Sequence, residues 1–252
     1  MKTLALFIIS VATLVACSPN AQLVTLRGSN VKPVSDEGLV LDNDTLTIRY
    51  NFASERGQMH LTLINKLNQP LYVDWKRSSF IIGQDKVDYW QDVADVNLTG
   101  SSYSNRYGRY SIGNLSGVIS KENQVGFIPP QTKLEKRQFV VLPDGTVHLK
   151  GTFKTEEEKA NWVNSKKPVK VSVYSYEDAD QSPLTFRNYL TLSTDKDFKT
   201  EFHIDTKFWA SDVKVLPRDQ LLTRQTTGGE YQYSEPIPFK KADSFYVVLP
   251  VQ

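Results

Sequence analysis

"TLTIRYNF", residues 45–52, alternates without a break: Leu46, Ile48, Tyr50 and Phe52 are apolar, and Thr45, Thr47, Arg49 and Asn51 are polar. Side chains of a strand point to opposite faces in turn, so this spacing predicts a strand with one buried face. The turn "SERG" leads to a partner, "QMHLTLIN", and residues 45–65 read as a hairpin. "NQP" then breaks the chain before "LYVDW", where Leu71, Val73 and Trp75 share a face. "SFII" and "KVDYW" flank the polar turn Gly83-Gln84-Asp85. "FIPP" ends a strand, because neither proline can donate to a ladder. "KRQFVVL" runs into the turn Pro143-Asp144-Gly145, and "VKVSVYSY", "FRNYLTLS", "TEFHID" and "SFYVVL" follow as further strands. One helix is expected in "TEEEKANWV", with Thr155 as N-cap and Glu158 three residues on. Closely spaced strands with so little helix predict an all-β fold: an antiparallel two-sheet β-sandwich, immunoglobulin-like in architecture, with at most one short helix. No repeat or second-domain linker interrupts it, so residues 37–252 are expected to form a single domain.

The composition narrows the function classes. The chain has 252 residues, 30 Lys and Arg against 28 Asp and Glu, and a formal net charge of +2. Charges of both signs are mixed along it, which argues against a nucleic-acid partner, since that would need a basic stripe. A chain of this length can bury about 70% of its unfolded surface, enough for a substantial core without disulfides. None can form within the chain, because Cys17 is the only cysteine.

The position of that cysteine is informative. Lys2 gives a positive start, and Leu4 to Ala16 is apolar apart from Ser10 and Thr13. The run is shorter than the roughly 20 residues that cross a bilayer, so residues 1–16 read as a secretory signal peptide. Its end, "LVAC" (Leu14 to Cys17), resembles the lipobox of bacterial lipoproteins. The resemblance implies cleavage before Cys17, a diacylglyceryl thioether on its sulfur and an amide-linked acyl chain such as palmitate. Two or more acyl chains make a stable anchor where one is marginal. Residues 17–36 mix Ser, Pro, Asn and Gln with isolated aliphatics and read as a flexible lipidated tether. Ser18 rather than an Asp follows the cysteine, which points to the outer membrane. The first acid after Cys17 is Asp36, whereas Bacteroidota-type surface export resembles a short acidic signal close to the cysteine. A lipid-anchored, periplasm-facing location is therefore expected.

Four further stretches carry a resemblance. "LDNDTLTIRYNF", "INKLNQPLYVDWKRSSFI", "GFIPPQ" and "SPLTFRNYLTLS", in that order between about Val40 and Ser193, look like a family of uncharacterised Bacteroidota-type outer-membrane lipoproteins. The "NK…PLYVDW…S" block is its most distinctive part. The resemblance implies a fold and a location but no activity or cofactor. Asn65 and Pro70 read as turn formers, Trp75 as a core anchor and Ser78 as a strand-edge hydroxyl.

No chemistry-bearing motif emerges. His60, His148 and His203 stand far apart, and there is no HExxH, GxSxG, P-loop or GxGxxG. Asp85, Asp88, Asp92 and Asp95 lack the spacing of a calcium loop and read as a solvated face. No metal, no cofactor and no catalytic residue is expected. The stretch "TGSSYSNRYGRYSIGNLSG", residues 99–117, reads as a loop whose Tyr103, Tyr107 and Tyr110 offer stacking faces and whose Arg106 and Arg109 offer fixed donors. A mobile insertion is the bland reading of the same composition. Asp44-Thr45-Leu46 resembles an O-glycosylation sequon, with Thr45 the acceptor. The expected function is a non-catalytic, lipid-anchored structural or assembly component of the envelope, held in the membrane by its lipid and bound to an envelope protein partner. The alternative is a glycan-binding accessory lipoprotein working through the tyrosine-rich loop.

Overall fold

The computed structural model describes residues 20–92, 95–104, 111–120, 123–159, 168–222, 224–227, 233–236 and 239–250. The first half of the chain forms β1 (Asn20–Gly28), β2 (Lys32–Val34), β3 (Gly38–Asp42), β4 (Leu46–Asn51), β5 (Gln58–Asn65), β6 (Leu71–Ile82), β7 (Asp85–Asp88), β8 (Asp95–Ser104) and β9 (Ser111–Ser120). The second half forms β10 (Val125–Ile128), β11 (Lys133–Val140), β12 (Lys154–Glu158), β13 (Val169–Ser175), β14 (Thr185–Ser193) and β15 (Glu201–Pro217). A one-turn helix, α1 (Arg218–Leu221), precedes β16 (Arg224–Thr227), β17 (Tyr233–Pro236) and β18 (Ser244–Val248).

Two antiparallel sheets make the sandwich. The larger runs β10-β6-β14-β15-β1-β18, with β13 and β12 added beside β15 and β7 beside β6. The smaller runs β11-β5-β4-β3-β2. The alternation of residues 45–52 is realised as expected: Leu46, Ile48, Tyr50 and Phe52 are fully buried. They meet the inner face of the large sheet, where Phe52 packs edge-on against Phe186 and Phe208 with ring centroids 5.7 and 5.6 Å apart. β4 and β5 pair as a hairpin, with Leu46 opposite Asn65 and Asn51 opposite His60.

From Asn20 on, the expected tether is a strand. Asn20–Gly28 is a strand inside the large sheet, paired with β15 on one side and β18 on the other. Ala21, Val24 and Leu26 have no exposed surface. Gln22 hides the pattern, because it reads as polar yet is buried. Its amide donates to the Val147 carbonyl and accepts from the Val147 N–H, both at 2.9 Å, so the side chain replaces a backbone partner. The folded domain therefore includes Asn20–Gly28, ahead of residue 37.

The expected helix is a strand where it can be seen. Lys154–Glu158 forms β12 along β13, with Thr155 opposite Ser172 and Glu157 opposite Lys170; residues 160–167 lie outside the described residues. Cross-strand ladder bonds, the Glu157–Lys170 juxtaposition and an ion pair from Glu158 to Lys214 of β15 outweigh the weak capping-box preference. The one described helix is α1, which has no side-chain N-cap.

The "DWKRS" block is an irregularity in β6. Tyr189 of β14 faces Ser79, but Thr191, two residues on, faces Asp74, so the intervening residues of β6 form a bulge. The bulge is tied internally. Asp74 accepts from the Arg77 backbone N–H at 3.1 Å and from Arg77 Nε at 2.7 Å. Ser78 Oγ donates to the Asp74 carbonyl and accepts from the Thr191 N–H, restoring the ladder bond that the bulge removes. Trp75 is turned inward and is 4% exposed, its ring 5.1 Å from that of Tyr89. Gly126 of β10 covers it so closely that a Cβ there would stand 2.6 Å from the indole nitrogen. Trp75→Ala should lower stability by about 3–5 kcal/mol through lost transfer energy and the cavity left behind. Denaturant unfolding checks this, and a midpoint equal to that of the wild type would show that Trp75 is not a core residue.

Candidate functional site

Of the candidate site residues singled out from the sequence, the structure describes Tyr103 and Thr45, which lie in separate elements. Cys17, Arg106, Tyr107, Arg109 and Tyr110 lie outside the described residues. Tyr103 belongs to β8, where it is registered opposite Ile112 of β9. Most of residues 99–117 is thus not a loop but two arms of a β-hairpin, which forms a two-stranded sheet of its own. Thr45 lies half-buried in the turn before β4, its N–H held by Asn43 Oδ1 at 2.9 Å, and Asp44 beside it is exposed. Asp85 and Asp88 sit at the ends of β7, and Asp88 pairs with Lys86 at 2.7 Å. Among the described residues no group of three or more His, Cys, Asp or Glu is placed to hold a metal ion. No helix among them is long and apolar enough to cross a membrane.

A buried polar relay bridges the two sheets. Tyr89 Oη donates to Asn188 Oδ1 at 2.6 Å, and Asn188 Nδ2 donates to Tyr50 Oη at 3.1 Å. Tyr50 Oη lies 3.4 Å from Thr206 Oγ1, which can accept its hydrogen bond. Burial pushes the Tyr89 phenol well above its ordinary value of 10.0, with the neighbouring Tyr50 adding to the rise. Burial also raises Tyr50, against the opposing hydrogen bonds from Thr206 and Asn188. With every polar atom partnered inside the core, the relay positions the two sheets; nothing about it requires turnover.

Two depressions open on the surface around β11. The first is a groove of about 570 Å³ between the edge strands β10 and β11, floored by Trp75 and walled by Gly126, Phe127, Leu134 and Lys136. Lys136 Nζ stands 5.1 Å from the centre of the Trp75 ring, and exposed Phe127 packs against Tyr72. The second is a polar cleft of about 550 Å³, built by Asn51, Ser54, Gln58 and His60 from the β4–β5 hairpin, Arg137 from β11, Asp36 from the β2–β3 turn, and Phe239 and Lys240 from the segment before β18. Arg137 borders both. Of this set the sequence singles out only His60 as a residue that could carry chemistry. Its Nε2 is 3.2 Å from Glu135 Oε2, and the Glu135 carboxyl is held below the usual range chiefly by the Lys133 ammonium and also by His60.

No family model, no curated protein and no solved structure matches the chain.

The relay predicts how the protein responds to alkali. Because the folded state holds the Tyr50 and Tyr89 protons more tightly than the unfolded chain, their contribution is complete below the ordinary tyrosine value of 10.0 and is lost as pH rises past it. In a spectrophotometric titration these two of the 12 tyrosines should ionise only as the protein unfolds. Full phenolate absorbance with circular dichroism still native would contradict their burial.

Proposed function

We propose that the chain is a non-catalytic, lipid-anchored protein of the outer membrane, facing the periplasm and serving as a structural or assembly component of the envelope. One observation supports this reading above others: β1 opens at Asn20, three residues after Cys17. At about 3.3–3.6 Å per residue, a lipid on Cys17 would hold the large sheet roughly 10 Å from the acyl-glycerol. A domain so short of tether acts at the membrane surface, as an assembly component does, rather than reaching into the periplasm. The envelope partner would meet it there. An alternative use of the same anchor is glycan binding by the β8–β9 hairpin, which carries Tyr103 and pairs with neither sheet of the sandwich.

Cys17→Ser should abolish incorporation of labelled fatty acid and leave a protein that is released from membranes or retains its signal. Label retained on the variant would rule the anchor out. For the hairpin, replacing Tyr103, Tyr107 and Tyr110 together with alanine should leave the melting temperature of the sandwich unchanged. Saturable glycan binding by the wild type that the triple variant loses would replace the assembly role with the glycan-binding one. Glycan titrations that the triple variant leaves unchanged, with an envelope protein recovered by cross-linking, would favour assembly.

A further inference from the structure

We infer that the polar cleft at the β4–β5 end of the small sheet is a binding site for a saccharide carrying an anionic group, a carboxylate or a phosphate. Its lining supplies complementary chemistry of three kinds. Arg137 and Lys240 both line it, and neither side chain has an ion-pair or hydrogen-bond partner among the described residues. Asp36 is the one acid in the lining, so the cleft carries a surplus of positive charge. A guanidinium and an ammonium converging on one depression suit an oxyanion, which the planar guanidinium can grip with two parallel hydrogen bonds.

The neutral polar groups match hydroxyls. Asn51 Oδ1 is committed to the Ala53 N–H at 2.9 Å, which leaves the Asn51 amide NH₂ to donate outward. The Gln58 side chain has no partner among the described residues and can both donate and accept. Ser54 Oγ is already used, donating to the Phe52 carbonyl and accepting from the Gln58 N–H, so it shapes the floor without adding a free donor. Phe239 supplies an apolar wall, fixed edge-on against Tyr246 with ring centroids 5.3 Å apart, against which the C–H face of a sugar ring can lie. At about 550 Å³ the cleft is within the usual range for small-molecule sites, roughly 300–1,000 Å³.

The backbone shows how the site is assembled. β11 pairs Arg137 with His60 but Val140 with Gln58, so one extra residue is inserted beside the cleft. Such a bulge re-aims the side chains next to it, here at the point where Arg137 borders the opening. The opposite rim comes from the β2–β3 turn, in which Asp36 has φ of 62°. Four segments remote in sequence thus present one polar surface, and none of their lining side chains is needed for the core.

The site is independent of any lipid on Cys17, so its test is unaffected by the anchoring result. Calorimetric titration of the full chain in detergent, with galacturonate trisaccharide, mannose 6-phosphate and neutral maltotriose, reads it directly. Saturable binding of one or both anionic sugars is expected, weakening as salt is raised. The arm that binds identifies the carboxylate or the phosphate as the recognised group. R137Q and K240Q should each reduce affinity by about tenfold or more, the loss of one charge-assisted contact, with unchanged melting temperatures. N51D, which keeps the acceptor for Ala53 but adds a negative charge, should also weaken binding. No binding of either anionic sugar, equal binding of maltotriose, or affinity indifferent to both R137Q and K240Q would overturn the assignment.

Discussion

The structure depends on the insertion of β1 between β15 and β18. Among the described residues β1 is the one named strand that β18 pairs with, and with the backbone bonds of Tyr246 to Ser54 and Arg56 it holds the fully buried Phe245 and Val247 in place. β1 itself sends Val24 and Leu26 into the core shared by both sheets. β15, at 17 residues, is long enough to serve β14 with its first part, β13 with its second and β1 on the other edge. The first strand made is therefore one of the last that can be completed, because its partners lie near the far end of the chain. Such pairing of distant segments is slow to nucleate, since a long loop must close before any contact compensates for the lost entropy.

Around that sheet the remaining constraints are local and mostly polar. The Tyr89–Asn188–Tyr50 relay gives the two sheets one relative position, where aromatic packing alone would allow sliding. Asn65, fully buried, donates to the carbonyls of Gln69, Ile128 and Pro129 and so ties the β5–β6 turn to the β10–β11 turn. Arg56 does the same at the opposite end, donating to the carbonyls of Leu142, Pro143 and Gly145. These contacts give structural reasons for the residues around "NK…PLYVDW…S", and they leave the surface around β11 as the region not explained by folding.

What the sequence made legible was whatever alternated. β4, β5 and the inward face of Trp75 follow directly from period-two spacing, because each has one face in the core and one in water. β1 was obscured because Gln22 occupies an inward position and satisfies its amide on the Val147 backbone, a partner 125 residues away. β12 was obscured because a run of glutamates carries helix preference, and only the neighbouring Lys170 and Lys214 give those charges a reason to lie in a sheet. The polar cleft could not be read at all. Asp36, the 51–60 hairpin, Arg137 and Lys240 share no spacing, and only the sheet order and the bulge in β11 bring them together.

Native-state hydrogen exchange on the full chain, followed at the amides of residues 22–27, tests most directly the claim that Asn20–Gly28 is an integral part of the fold. If β1 is an integral strand, amides in its ladder will exchange only through global unfolding, with the same opening free energy as those of β14 and β15. Exchange of the β1 amides at the rate of an unstructured chain, while β14 and β15 remain protected, would contradict the account and restore a tether in front of a smaller domain.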